Sequence, residues 1–125
     1  MWVLQMATAF VPAGLAAAAA QGLTAHRSRR DTTERLLRDY GVRPVPTEPA
    51  YATPQPVTDG PSAVATLVTA ESDLTVTWRA VIERTDDSGL RKVALDSLVD
   101  SAVRAARWRA AAASGPTTIA LPGQV

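Results

Sequence analysis

Val64, Leu67, Val68, Leu74, Trp78, Val81 and Ile82 recur at steps of three and four, which puts them on one face of a helix over residues 62–84. Glu71 interrupts that apolar stripe at its middle. A carboxylate buried there needs a partner, because an unpaired buried charge is too costly. After Thr85-Asp86-Asp87-Ser88-Gly89, a second stripe of Leu90, Ala94, Leu98, Ala102, Ala105 and Trp108 predicts a helix over 87–113. Val93, Leu95, Val99 and Val103 widen it, so this helix is apolar around much of its circumference. Asp86 or Asp87 can cap its first amides, and Asp100 and Arg104 are spaced to pair along its polar side. Gly115-Pro116 stops it. Two helices joined by so short a link form an antiparallel helical hairpin.

The N-terminal half predicts two more helices, over 2–11 and 15–40, joined at Pro12-Ala13-Gly14. The inward stripe of the longer one reads Leu15, Ala19, Leu23, His26, Arg30, Thr33 and Leu37. His26 and Arg30 therefore face inward beside Leu23 and Leu37, and with Glu71 they make a buried polar cluster that fixes helix register. Asp31–Arg35 and Glu34–Arg38 are spaced as i,i+4 pairs on the outer face, and Gly41 closes the helix. Ten residues of helix span about 15 Å against about 39 Å for twenty-six. The short first helix leaves half a groove uncovered: either the chain starts inside a longer helix, or a partner fills the gap.

Residues 42–60 carry Pro44, Pro46, Pro49, Pro54 and Pro56 and cannot be helix or central strand. Tyr51 and Val57 give the stretch apolar anchors. At polyproline spacing it reaches roughly 59 Å, more than the length of a helix of the bundle. It can carry the chain from one end of a bundle to the other, between the second and third helices. Hairpin, long crossover, hairpin is the connectivity of ferritin-like four-helix bundles. Pro61 starts the third helix after Asp59 or Gly60 as cap. The tail, 115–125, is extended and lies on the bundle surface through Ile119 and Leu121. The whole chain, 1–125, is expected to be one all-α domain.

Composition narrows the chemistry. The net charge of +1 gives no strong field for nucleic acid or anionic membrane. The chain has no cysteine, which removes disulfides, thiolate metal sites and thiol nucleophiles. Twelve of the thirteen basic residues are Arg, which reads as genome composition. Residues 1–25 carry no charged side chain. A signal peptide there would want a basic start, which is missing. A membrane span would be long enough, but Pro12, Gly14, Gln21 and Gly22 break it up. The reading adopted is two helices of a soluble, cytoplasmic bundle.

Several runs then resemble a known family. They are Ala50-Tyr51-Ala52, Pro56-Val57-Thr58-Asp59, the run from Ala102 to Arg109 and Ala120-Leu121-Pro122-Gly123, with His26-Arg27-Ser28-Arg29-Arg30-Asp31 on the second helix. In this order they resemble an actinobacterial, alanine- and arginine-rich ferritin-like domain of unknown function. The resemblance covers Leu15 to Gly123. It implies a four-helix bundle and no particular activity. The family usually has a longer first helix with a Glu-His pair, so this chain looks shortened there, with Trp2 in the place of an aromatic residue.

Di-iron chemistry in such a bundle needs a Glu from each of two helices and Glu-x-x-His from each of the other two. Here the third helix offers Glu71 and the second His26, preceded three residues earlier by Leu23. The fourth offers Asp96 and Asp100, with Val99 and Val103 where histidine should stand, and the first offers no carboxylate. Glu71 and His26 are thus weak metal candidates, and no catalytic or cofactor-binding residue is assigned. Arg27, Arg29, Arg30, Arg35 and Arg38 cluster on one helix, but acidic neighbours offset them and no nucleic-acid motif accompanies them. His26 has no motif placing it beside a nucleophile. Trp2, Trp78 and Trp108 read as core or interface anchors. Two functions follow as expectations: a non-catalytic bundle that associates with a second copy or another protein, or a degenerate metal- or small-ligand binder using Glu71 and His26.

Overall fold

Proline and capping chemistry set the helix ends. The computed structural model describes residues 1–46, 48, 51–113 and 115–124. Pro49, Ala50 and Val125, which figure in the expectations above, lie outside these. Among the described residues there are four α-helices and no strand: α1 (Trp2–Thr8), α2 (Ala16–Asp39), α3 (Gly60–Arg84) and α4 (Ser88–Ala112). None is long and apolar enough to cross a membrane.

The first helix is shorter than the expected 2–11. A proline disfavours helical geometry in the residue before it, so the chain leaves the helix ahead of Pro12. A single 3-10 turn, Ala13–Leu15, then leads into α2. Asp59 caps α3 through a capping box. Its carboxylate accepts from the Ser62 amide at 2.8 Å, while Ser62 Oγ accepts from the Asp59 amide at 3.0 Å. Asp87 caps α4, accepting from the Leu90 amide at 2.7 Å. That helix ends before Gly115, with Ala113 in the left-handed region (φ 49°).

The core is gathered at one end. Leu4 and Ala7 of α1, Ala19 of α2, Ala63, Val64 and Leu67 of α3 and Trp108 of α4 form one buried cluster, with Val57 packed against it. Because α1 covers only the first turns of α3, the later stripe residues Leu74, Trp78, Val81 and Ile82 are only half buried. Tyr51 leans on this end too, its ring meeting Trp2 edge-on at 6.1 Å.

The α3–α4 hairpin supplies most of the close backbone packing. The inward face of α4 keeps Ala94, Ala105 and Trp108 of the expected stripe and departs from it elsewhere. Ala94, Ser97, Ser101, Ala105 and Trp108 are buried, Leu98 and Ala102 are half buried, and Leu95, Val99 and Val103 are exposed. Helices that approach closely admit only small side chains between them, so size outranks hydrophobicity in choosing the face.

Candidate functional site

One layer of the bundle is polar. Glu71 stands one turn after Leu67 on α3, His26 one turn after Gly22 on α2, and Arg104 one turn before Trp108 on α4. Each therefore projects just past the apolar core. Glu71 is only 2% exposed. Its Oε1 lies 2.7 Å from His26 Nε2 and accepts from Arg104 Nε at 3.1 Å. Gly22 leaves room beside the layer: a Cβ there would lie 3.5 Å from Leu4 and 3.9 Å from the Arg104 side chain. A second cross-helix pair follows one turn on, where Arg29 of α2 meets Asp100 of α4.

Arg30 is not part of this layer. Its side chain is 43% exposed and holds Asp31 at 2.7 Å and Glu34 at 3.7 Å. The adjacent carboxylates on the outer face draw a long, flexible guanidinium toward water. Arg104 takes its place, and Asp100, its expected helical partner, pairs with Arg29 instead. Arg104 was concealed by that local i,i+4 alternative. The signal that could have found it is its position one turn from Trp108. Of the two surface pairs expected on α2, Glu34–Arg38 closes at 2.9 Å. Arg35 instead donates to Asp31 O and Thr32 Oγ1.

The layer keeps unused hydrogen-bonding capacity. Glu71 Oε2, Arg104 Nη2 and Arg29 Nη1 are buried without a hydrogen-bond partner among the described residues. A cavity of about 260 Å³ adjoins His26 and Glu71, walled by Leu4, Leu67, Leu74 and Thr77. Another of about 250 Å³ lies between Gly22, Arg104 and Trp108.

As chemistry, the layer offers one carboxylate, one imidazole and one guanidinium. Among the described residues no three His, Asp or Glu side chains group closely enough to hold a metal ion. The cation facing Glu71 is Arg104, which compensates the carboxylate as a metal would. The hydrogen bond that His26 makes among the described residues is to Glu71.

Four α-helices, no strand and a buried salt-bridge layer among the described residues define a helical-bundle protein. The chain belongs to the family described as "Domain of unknown function (DUF4439)", whose model matches residues 1–125. It is similar in structure to a conserved hypothetical protein, rv2844, from Mycobacterium tuberculosis. The TM-score is 0.86 and the identity 31%, over 88% of this chain and 83% of that one. Comparison with curated proteins gives no match.

Proposed function

We propose that this protein is a non-catalytic, ferritin-like bundle that works by helix–helix association, with a second copy of itself as the partner. The ferritin-like part rests on direction. Polar and apolar levels rise in number along α2 and α3 and fall along α4, as expected when α2 and α3 are parallel. Gly60 lies against Pro12 at one end of the molecule, and Tyr40 reaches Asp87 at the other. The Pro-rich stretch after Tyr40 would then return along the bundle, which is the single long crossover of ferritin-like folds.

The association part rests on one observation. Leu95, Val99 and Val103 are spaced four apart on α4 and are 52%, 50% and 44% exposed. Such a ridge fits the groove of another helix, and exposed apolar stripes of this kind mark interaction sites. The arginines argue against nucleic acid as the partner. Arg29, Arg30, Arg38 and Arg79 are paired with carboxylates, and Arg104 is turned into the bundle. Light scattering across a concentration series tests the reading. Dimers that dissociate on Val99→Glu support it; a strict monomer at high concentration overturns it.

The second reading, a degenerate metal- or small-ligand site at Glu71 and His26, draws on the unpartnered Glu71 Oε2 and the adjoining cavity. Arg104 weighs against the metal version, because its charge already answers the carboxylate. Stoichiometric metal in purified protein would reverse that preference.

A further inference from the structure

Residues 118–124 lie against the α3–α4 hairpin and border a half-open cavity of about 430 Å³. Its floor is Val76 of α3 with Leu98, Val99 and Val103 of α4, and its outer wall is Ile119 and Leu121. The segment is held at its far end. Gly123 sits against α3 so closely that a Cβ would lie 2.6 Å from Thr75 O, and its φ of +84° is one that L side chains rarely adopt. A turn, with the Gln124 amide donating to Leu121 O at 3.1 Å, completes the anchor. Yet Ile119 and Leu121 remain 51% and 61% exposed. The strap bridges the apolar space without filling it, although protein interiors ordinarily leave few such gaps.

The cavity has one charged group at its wall, Arg109. Its Nη2 donates to Ser72 Oγ at 2.8 Å, and Ser72 Oγ donates in turn to Val68 O at 2.8 Å, which fixes the guanidinium in place. A guanidinium has five N–H donors. Among the described residues no carboxylate stands within ion-pair distance of Arg109, in contrast to Arg29, Arg38 and Arg79. An apolar chamber with a single oriented cation complements one kind of ligand, an apolar chain ending in an acid. The volume lies toward the lower end of the ordinary range for small-molecule sites, which limits the chain to medium length.

We propose that this chamber binds a medium-chain carboxylic acid, its alkyl chain on Val76, Leu98, Val99 and Val103 and its carboxylate on Arg109. The chamber shares Val99 and Val103 with the proposed association ridge, so the two readings compete for one face of α4. A monomeric protein that binds the acid would overturn the association reading and uphold this one.

The test is calorimetric titration of the full chain with decanoate, decanol and decyltrimethylammonium. Decanoate should saturate a single site, and the cationic amphiphile should not. Arg109→Gln should weaken decanoate by about tenfold or more while leaving decanol unchanged, and Arg109→Lys should recover part of the loss. Val99→Trp fills the chamber from a half-exposed position that does not endanger folding, and should abolish binding of both decanoate and decanol. Absence of saturable heat with decanoate overturns the proposal. So does equal affinity for the cationic amphiphile, unchanged decanoate affinity in Arg109→Gln, or undiminished binding in Val99→Trp.

Discussion

Arg104 of α4 donates its Nε–H to Glu71 of α3 at 3.1 Å, inside a hairpin where α4 buries the small residues Ala94, Ser97, Ser101 and Ala105 together with Trp108. The pair is the part of the polar layer that ties the hairpin to itself, while His26 ties α2 to it. Intact buried ion pairs need not stabilise a fold, but removing one partner leaves an uncompensated charge.

Glu71→Ala should therefore cost about 3–5 kcal/mol in urea unfolding. Replacing both charges by apolar residues of similar volume, Glu71→Leu with Arg104→Met, should cost less than the two single substitutions together. The coupling is expected to be on the order of 0.5–3 kcal/mol. A strictly additive double mutant would show that the two side chains do not depend on each other.

A second tie crosses the opposite end of the molecule. Tyr40, just beyond α2, donates its hydroxyl to Asp87 at 3.0 Å, so the cap of α4 is also a tether for α2. The Leu90 amide, and then the Tyr40 hydroxyl, hold the Asp87 carboxyl below its ordinary 3.8. Bonding to Asp87 raises the Tyr40 phenol above its ordinary 10.0. Asp87 contributes stability that is present above the unfolded value and is lost as pH falls through the folded one. The Tyr40 contribution is present below its unfolded value and disappears as pH rises through the folded one.

Tyr40→Phe should accordingly erase the part of the alkaline loss that belongs to this bond and shrink the acid loss, while the amide-to-Asp87 cap survives. Urea midpoints of wild type and Tyr40→Phe at acid, neutral and alkaline pH provide the comparison. Parallel pH curves for the two proteins would refute the tether.

The fold was more legible in the sequence than the site, and for a physical reason. Helical spacing, proline positions and the caps Asp59 and Asp87 act locally, so four helices can be read from neighbours in the chain. His26 and Glu71 could be marked as inward because each interrupts an apolar stripe. Arg104 carries a weaker signal, its position one turn from Trp108, and this competes with Asp100, a helical partner one turn away that Arg29 takes instead. The face of α4 departs in part from the expected stripe for a related reason. Hydrophobicity favours Leu95, Val99 and Val103 as core, but the closeness of α3 selects Ser97 and Ser101, and closeness is a tertiary property.

Gly22 lies inside α2, where glycine lowers helix stability by about 1 kcal/mol relative to alanine. A Cβ at this position would meet Leu4 at 3.5 Å and Arg104 at 3.9 Å, both ordinary contacts. Gly22→Ala should stabilise the protein by up to about 1 kcal/mol in urea unfolding. A larger residue would push on Leu4 and Arg104, so Gly22→Leu should destabilise it instead. If alanine also destabilises, the polar layer has less room at α2 than these distances imply.

Gly123 presents the opposite case. Its positive φ and its approach to Thr75 O leave no space for a side chain, so alanine must either strain the backbone or release the strap. Strain of this kind is on the order of 1–3 kcal/mol, which exceeds what a surface segment with two half-exposed anchors can resist. Gly123→Ala should therefore free the strap and leave the helices intact. The Gln124 amide, bonded to Leu121 O in the folded strap, is the reporter. Its hydrogen exchange should accelerate by about tenfold or more, with helix amides unchanged. Unaltered protection at Gln124 would mean that the strap is not anchored through Gly123, and faster exchange throughout α3 would mean that the strap supports the hairpin itself.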